Sequence, residues 1–145
     1  MLKPGGVDGS CIKIKRVSES IDRLLNVELS IDDLTLTQCR VLYTLLHRTN
    51  DRTATQKEIE DYLSISHPTA VGVFHRLESK GLIENMGRTG KESKTLRITE
   101  SGIEIIERNE MHMTRMEERI RSILGECDTE VFMMCLDRLD SELTR

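Results

Sequence analysis

Between residues 55 and 81 the chain carries helix start and stop signals so densely that few folds remain open to it. Thr55-Gln56-Lys57-Glu58 is a capping box: the threonine hydroxyl accepts from the backbone N–H of Glu58, and the glutamate reaches back. It opens a short helix ending near Leu63. Ser64-Ile65 then makes a tight turn, and Ser66 caps a second helix with Pro68 in its first turn, where no backbone donor is lost. That helix runs to Lys80 and stops at Gly81. Two short helices joined by a turn of a few residues form a helix-turn-helix outline.

The period changes after Gly81. Residues Leu82 to Met86 and Thr95 to Ile98 read as short strands around a glycine-containing basic loop with Arg88, Lys91 and Lys94. A hairpin directly after the second helix is a wing. Upstream, Ile14, Val17, Ile21, Leu24 and Leu25 predict a helix over 10–28, and Cys39, Leu42, Tyr43 and Leu46 predict another over 36–48. Thr99 caps a long helix to about Leu124, ended by Gly125. Asp128 is expected to cap a last helix to about Leu143, with Val131, Phe132, Cys135, Leu136 and Leu139 on its apolar side. The fold class is mainly α with a small β-hairpin wing. The expected organisation is an N-terminal dimerisation helix over 10–34, a winged helix-turn-helix lobe over 35–98, and C-terminal dimerisation helices over 99–145.

Composition narrows the function. With 3% aromatic and 32% charged residues, the 145-residue chain suits amphipathic helices better than a β-sandwich. It has no run of 18 apolar residues and no basic-then-apolar leader, which predicts a cytoplasmic protein. The four cysteines form no C-x-x-C pair, which argues against a zinc ribbon, and thiols are expected in a reducing compartment. His67 and His75 are eight residues apart, roughly 12 Å along a helix, so they cannot share one metal ion. Neither a metal nor a cofactor is expected. His47 and His112 carry no motif. No H-E-x-x-H, G-x-S-x-G, P-loop or dinucleotide fingerprint is present, so no catalytic residue is assigned.

The net charge of −4 does not itself point to nucleic acid, but its distribution does. Residues 66–97 hold six Lys/Arg against three acids, while residues 99–145 hold six Arg against twelve acids. A basic segment beside an acidic one suggests a polyanion-binding face on a self-assembling or solvated body; random charge scatter is the alternative.

The second helix of the pair has an apolar face of Ala70, Val73, Phe74 and Leu77. Opposite lie Pro68, Gly72, His75, Arg76 and Ser79, flanked by Thr69. This face is small near the helix start, polar and lightly basic, as suits insertion into the major groove of double-stranded DNA. The candidate DNA-binding residues are Thr55, Gln56, Ser66, His67, Pro68, Thr69, Gly72, His75, Arg76, Arg88, Lys91 and Lys94. His75 reads equally as a groove-side hydrogen bonder or a solvated side chain, and the wing cations as minor-groove contacts or a solvated loop tip. Gly72 costs roughly 1 kcal/mol against alanine in a helix. It is expected to give clearance to a neighbouring backbone or to DNA, unless it is a sequence accident.

The order of these elements, with Leu82-Ile83-Glu84 after Gly81 and Ile98-Thr99-Glu100-Ser101-Gly102 after the wing, resembles the MarR family of bacterial transcription regulators over roughly residues 12–143. The resemblance implies a winged-helix homodimer whose first and last two helices interleave, binding pseudo-palindromic operators. It also implies release by a small phenolic or lipophilic effector, or by thiol oxidation. The family often places Asp-Arg-Arg before the second wing strand, where this chain has Gly90-Lys91-Glu92. Lys91 offers a point charge and not a bidentate fork. Family members also commonly carry a basic residue near the position of Gly72. Cys11 precedes Thr37 by 26 residues, a spacing similar to that of the reactive cysteine in the peroxide-sensing OhrR branch. Lys13, Lys15 and Arg16 around it favour a thiolate, but the tyrosines of that branch lack obvious counterparts. The function expected is a homodimeric, sequence-specific repressor released by a small molecule. The alternatives are a thiol-responsive regulator using Cys11 and a winged-helix protein-interaction module that does not bind DNA.

Overall fold

The computed structural model describes residues 9–87 and 94–144. Its elements are α1 (Ser10–Leu29), a 3-10 turn (Ser30–Asp32), α2 (Leu36–His47), β1 (Thr53–Thr55), α3 (Gln56–Leu63), α4 (His67–Ser79), β2 (Ile83–Asn85), β3 (Thr95–Ile98), α5 (Glu100–Leu124) and α6 (Glu126–Leu143). The chain divides into two compact units, residues 1–110 and 111–145, with the boundary inside α5.

The first unit holds the hydrophobic core. Leu25 and Leu29 of α1, Val41, Leu42 and Leu45 of α2, Ile59 and Leu63 of α3, and Ala70, Val73, Phe74 and Leu77 of α4 are all buried. So are Ile83, Leu96 and Ile98 of the strands and Ile103 and Ile106 of α5. The start and stop signals act as expected. Thr55 and Glu58 form both halves of the capping box, with hydrogen bonds of 3.1 Å and 2.7 Å. Thr35 and Gln38 form a second box at the start of α2. Ser64, in the left-handed region at φ 52°, closes α3 and reverses the chain into α4. Gly81, at φ 70°, does the same after α4.

The sheet has three strands, ordered β1-β3-β2 and all antiparallel. The hairpin was expected, but β1 was not. It pairs Thr53 with Arg97, Ala54 with Leu96 and Thr55 with Thr95. Leu82, expected in the first wing strand, is instead a buried residue in the turn before β2.

Two packing expectations are corrected. On α2 the buried stripe runs through Gln38, Cys39, Val41, Leu42, Thr44 and Leu45, while Tyr43 is exposed with its ring 4.6 Å from that of His47. Gly125, at φ 80°, ends α5 and is itself the N-cap of α6, so Asp128 sits in the first turn of α6 and not at its cap.

The entry of α5 is tightly fitted. Thr99 Oγ1 accepts from the Gly102 N–H at 3.1 Å and donates to the Gly81 carbonyl at 2.6 Å. Gly102 lies so close to the turn after α4 that a β-carbon there would stand 2.3 Å from the Leu82 carbonyl oxygen. Further along, three consecutive α5 residues bind the rest of the first unit. Arg108 donates twice to Asp32, the buried Asn109 donates to Asp32 at 2.7 Å, and Glu110 meets His47 Nε2 at 2.5 Å.

The second unit differs. Among residues 111–144 none is buried. Val131, Phe132, Met133, Met134 and Leu139 of α6 are all exposed. Cys135, expected in the core, is exposed with them because no layer of this unit covers that face.

Candidate nucleic-acid interface

The polar face of α4 is solvent-facing along its length. Ala70, Val73, Phe74 and Leu77 anchor the opposite side, which leaves Ser66, His67, Pro68, Thr69, His75, Arg76 and Ser79 exposed. Ser66 caps the helix through a 3.4 Å bond from the Thr69 N–H and donates its own hydroxyl proton to Thr69 Oγ1 at 2.9 Å. These two side chains are therefore mutually ordered at the start of α4. Arg76 and His75 are both exposed.

Gly72 is half-buried, and a β-carbon built there meets nothing within 4 Å. Clearance for a neighbouring backbone is thus excluded as its reason within the described chain. Clearance for an outside ligand remains.

Thr55 and Gln56 are half-buried at the start of α3. The Thr55 hydroxyl accepts from the Glu58 N–H, and the Gln56 N–H donates to the Lys94 carbonyl at 2.8 Å. Lys94 is exposed just before β3, and Arg97 within β3 is exposed as well. Arg88 and Lys91 lie outside the described residues. Lys80 is partly engaged: its ammonium meets the Asp33 carboxylate at 3.3 Å and also donates to the Asp33 carbonyl and to Gln38.

One contact was not anticipated from the sequence. His67 Nδ1 lies 2.7 Å from Oε1 of Glu60, a carboxylate on α3 that is buried at 8% exposure. The only local signal is that Glu60 falls on the inward stripe of α3 beside Ile59 and Leu63, where a charge needs a partner.

The cysteines separate by environment. Cys11, in the first turn of α1, Cys127 and Cys135 are exposed. Cys39 is buried, and burial, with the Glu110 charge adding to it, pushes its thiol up from 9.0 to about 11. Among the described residues no cluster of three His, Cys, Asp or Glu side chains could hold a metal ion. No helix of the described residues is long and apolar enough to cross a membrane.

A buried apolar core, a small antiparallel sheet and an exposed polar helix define a winged-helix fold. The MarR family model matches residues 32–85, from the 3-10 turn to the end of β2. The MepR–DNA complex of S. aureus is similar at a TM-score of 0.82 and 24% identity, covering 96% of this chain and 99% of that one. The repressor CouR bound to p-coumaroyl-CoA is similar at 0.80 and 25%, covering 96% and 97%. A mutant MarR from E. coli complexed with operator DNA is similar at 0.77 and 21%, covering 93% and 99%. Among curated proteins none matches the chain in sequence. The resemblance to the MarR family read from the sequence is thus matched by the family model over residues 32–85 alone, and by the fold over nearly the whole chain.

Proposed function

We propose that the protein is a homodimeric, sequence-specific repressor that binds operator DNA through α4 and the wing and is released by a small lipophilic or phenolic effector. The observation that carries this reading is the exposed face of α4, where Ser66, Pro68, Thr69, His75 and Arg76 stand clear of the core around a glycine with open space above it. A recognition helix fills the major groove with small and hydrogen-bonding groups near its N-terminus, and this face supplies them.

Dimerisation is supported by unit 111–145. Helical segments of this length are marginal in water without a packed apolar face, and those of α6 are uncovered in one copy of the chain. Ile12, Ile14 and Val17 of α1 are exposed as well. A second copy gives these stripes a partner and supplies a second reading helix one DNA turn away. Light scattering at micromolar concentration should return twice the 16.6 kDa chain mass. The effector class is supported by the relatives: the CouR structure holds p-coumaroyl-CoA, and that of PcaV from Streptomyces coelicolor holds its natural ligand.

The test is selection of bound fragments from random DNA at low salt, with and without aromatic acids and their thioesters. A selected motif with two-fold symmetry is expected, and its affinity should fall steeply with salt as counterions are retained. Arg88→Ala with Lys91→Ala should lower that affinity. A protein-interaction module would leave it unchanged or show no DNA binding at all. The exposure of Cys11 favours one second reading, release by thiol oxidation. Peroxide that releases DNA from the parent protein but not from Cys11→Ser would establish it.

A further inference from the structure

We propose that Glu60 is a positioning residue for DNA recognition: its buried carboxylate accepts a hydrogen bond from the Nδ1–H of His67 and so fixes Nε2 as the atom offered to the duplex. The inference deepens the DNA-binding reading and rests on it for the use made of Nε2, but not for the tautomer.

An ionised carboxylate only accepts hydrogen bonds. With Glu60 Oε1 at 2.7 Å from Nδ1, the proton of a neutral His67 imidazole must sit on Nδ1, which leaves a bare lone pair on Nε2. The two side chains differ in exposure in the way this role needs. Glu60 is 10% exposed in its side chain and cannot turn away to water, while the His67 side chain is 70% exposed and occupies the first position of α4. One end of the ring is held by the protein and the other faces outward from the start of the proposed reading helix. Polar groups on α2, α3 and α4 make contacts of their own. On α3, Lys57 pairs with Asp61 at 2.8 Å and also feels the charge of Glu60. On α2, Arg40 donates to the Leu63 carbonyl at 3.4 Å. On α4, the Thr69 N–H is directed to Ser66.

As a lone pair, Nε2 accepts from the exocyclic amino groups of adenine or cytosine and repels a phosphate.

Two measurements on the full chain test this. In 15N-labelled protein free of DNA at pH 8, His67, identified by its loss in His67→Asn, should be the Nδ1–H tautomer. Glu60→Met should abolish that bias, and Glu60→Gln, which keeps an acceptor, should retain it. An Nε2–H tautomer in the parent protein, or an unchanged one in Glu60→Met, overturns the inference. In the second measurement, at pH 8, His67→Asn and Glu60→Met should each weaken binding to a selected fragment about fivefold, the worth of one hydrogen bond. Affinities that both variants leave unaltered overturn the proposed use of Nε2. If the parent protein binds no fragment, the DNA-binding reading itself fails, and the tautomer measurement still decides whether Glu60 holds His67.

Discussion

At Cys39, stability and reactivity follow from one fact, its burial beside the Glu110 charge. The folded chain holds its thiol proton up to a pH of about 11, whereas the unfolded chain releases it near the ordinary 9.0. The folded state therefore binds more protons between these values, and stability, fully present below pH 9, is lost as pH rises toward 11. The difference in proton affinity between the two states is worth roughly 3 kcal/mol at the limit. Urea unfolding midpoints between pH 8 and 10.5 should fall more steeply for the parent protein than for Cys39→Val, and a thiol reagent at pH 8 should label Cys39 only when urea is present. Gly72 gives a second residue-scale test. Alanine meets open space there, so Gly72→Ala should add about 1 kcal/mol of stability in urea melts. The same change should weaken operator binding. A variant that is more stable and binds DNA equally well would remove clearance as the reason for the glycine.

At the scale of elements, the turn between α4 and α5 is the tightest joint in the first unit. A methyl group at Gly102 collides with the Leu82 backbone, which cannot swing aside as a flexible side chain would. Gly102→Ala should cost about 1–3 kcal/mol, read from urea midpoints. The cap of α3 is the milder case: Thr55→Ala should cost about 1 kcal/mol. What could be read from the sequence follows from how local each signal is. The capping box at Thr55, the cap at Ser66 and the stop at Gly81 act within four residues of their own position, so they were legible. β1 was not. Three residues with little apolar pattern become a strand only by pairing with β3, forty residues away in the chain. The contact of Glu60 with His67 crosses the turn between two helices and has no spacing rule to betray it. Cys135 shows the complementary limit. Periodicity identified the apolar side of α6, but it could not say whether the chain itself covers that side.

At the scale of the whole molecule, the proposed homodimer would make assembly a condition of stability, because one unit has a core and the other has none. Phe132→Glu combined with Leu139→Glu should yield a monomer by light scattering, with reduced helical circular dichroism because the uncovered segments are no longer held. The polar ties of Asp32 to Arg108 and Asn109 make a different forecast, because they lie inside the first unit. Asn109→Ala removes a buried hydrogen bond to the Asp32 carboxylate and should cost about 1 kcal/mol, with the mass in light scattering unchanged.

The short strand Thr53–Thr55 has a mechanical consequence. Its last residue is both the partner of Thr95 and the cap of α3, and the next amide, that of Gln56, donates to the Lys94 carbonyl at the base of the wing. Strand β3 and helix α3 are therefore joined through consecutive residues, so a push on one is delivered to the other without slack. Deuterium uptake at the Gln56 amide should therefore keep time with that of β3 and not with the fraying of its own helix.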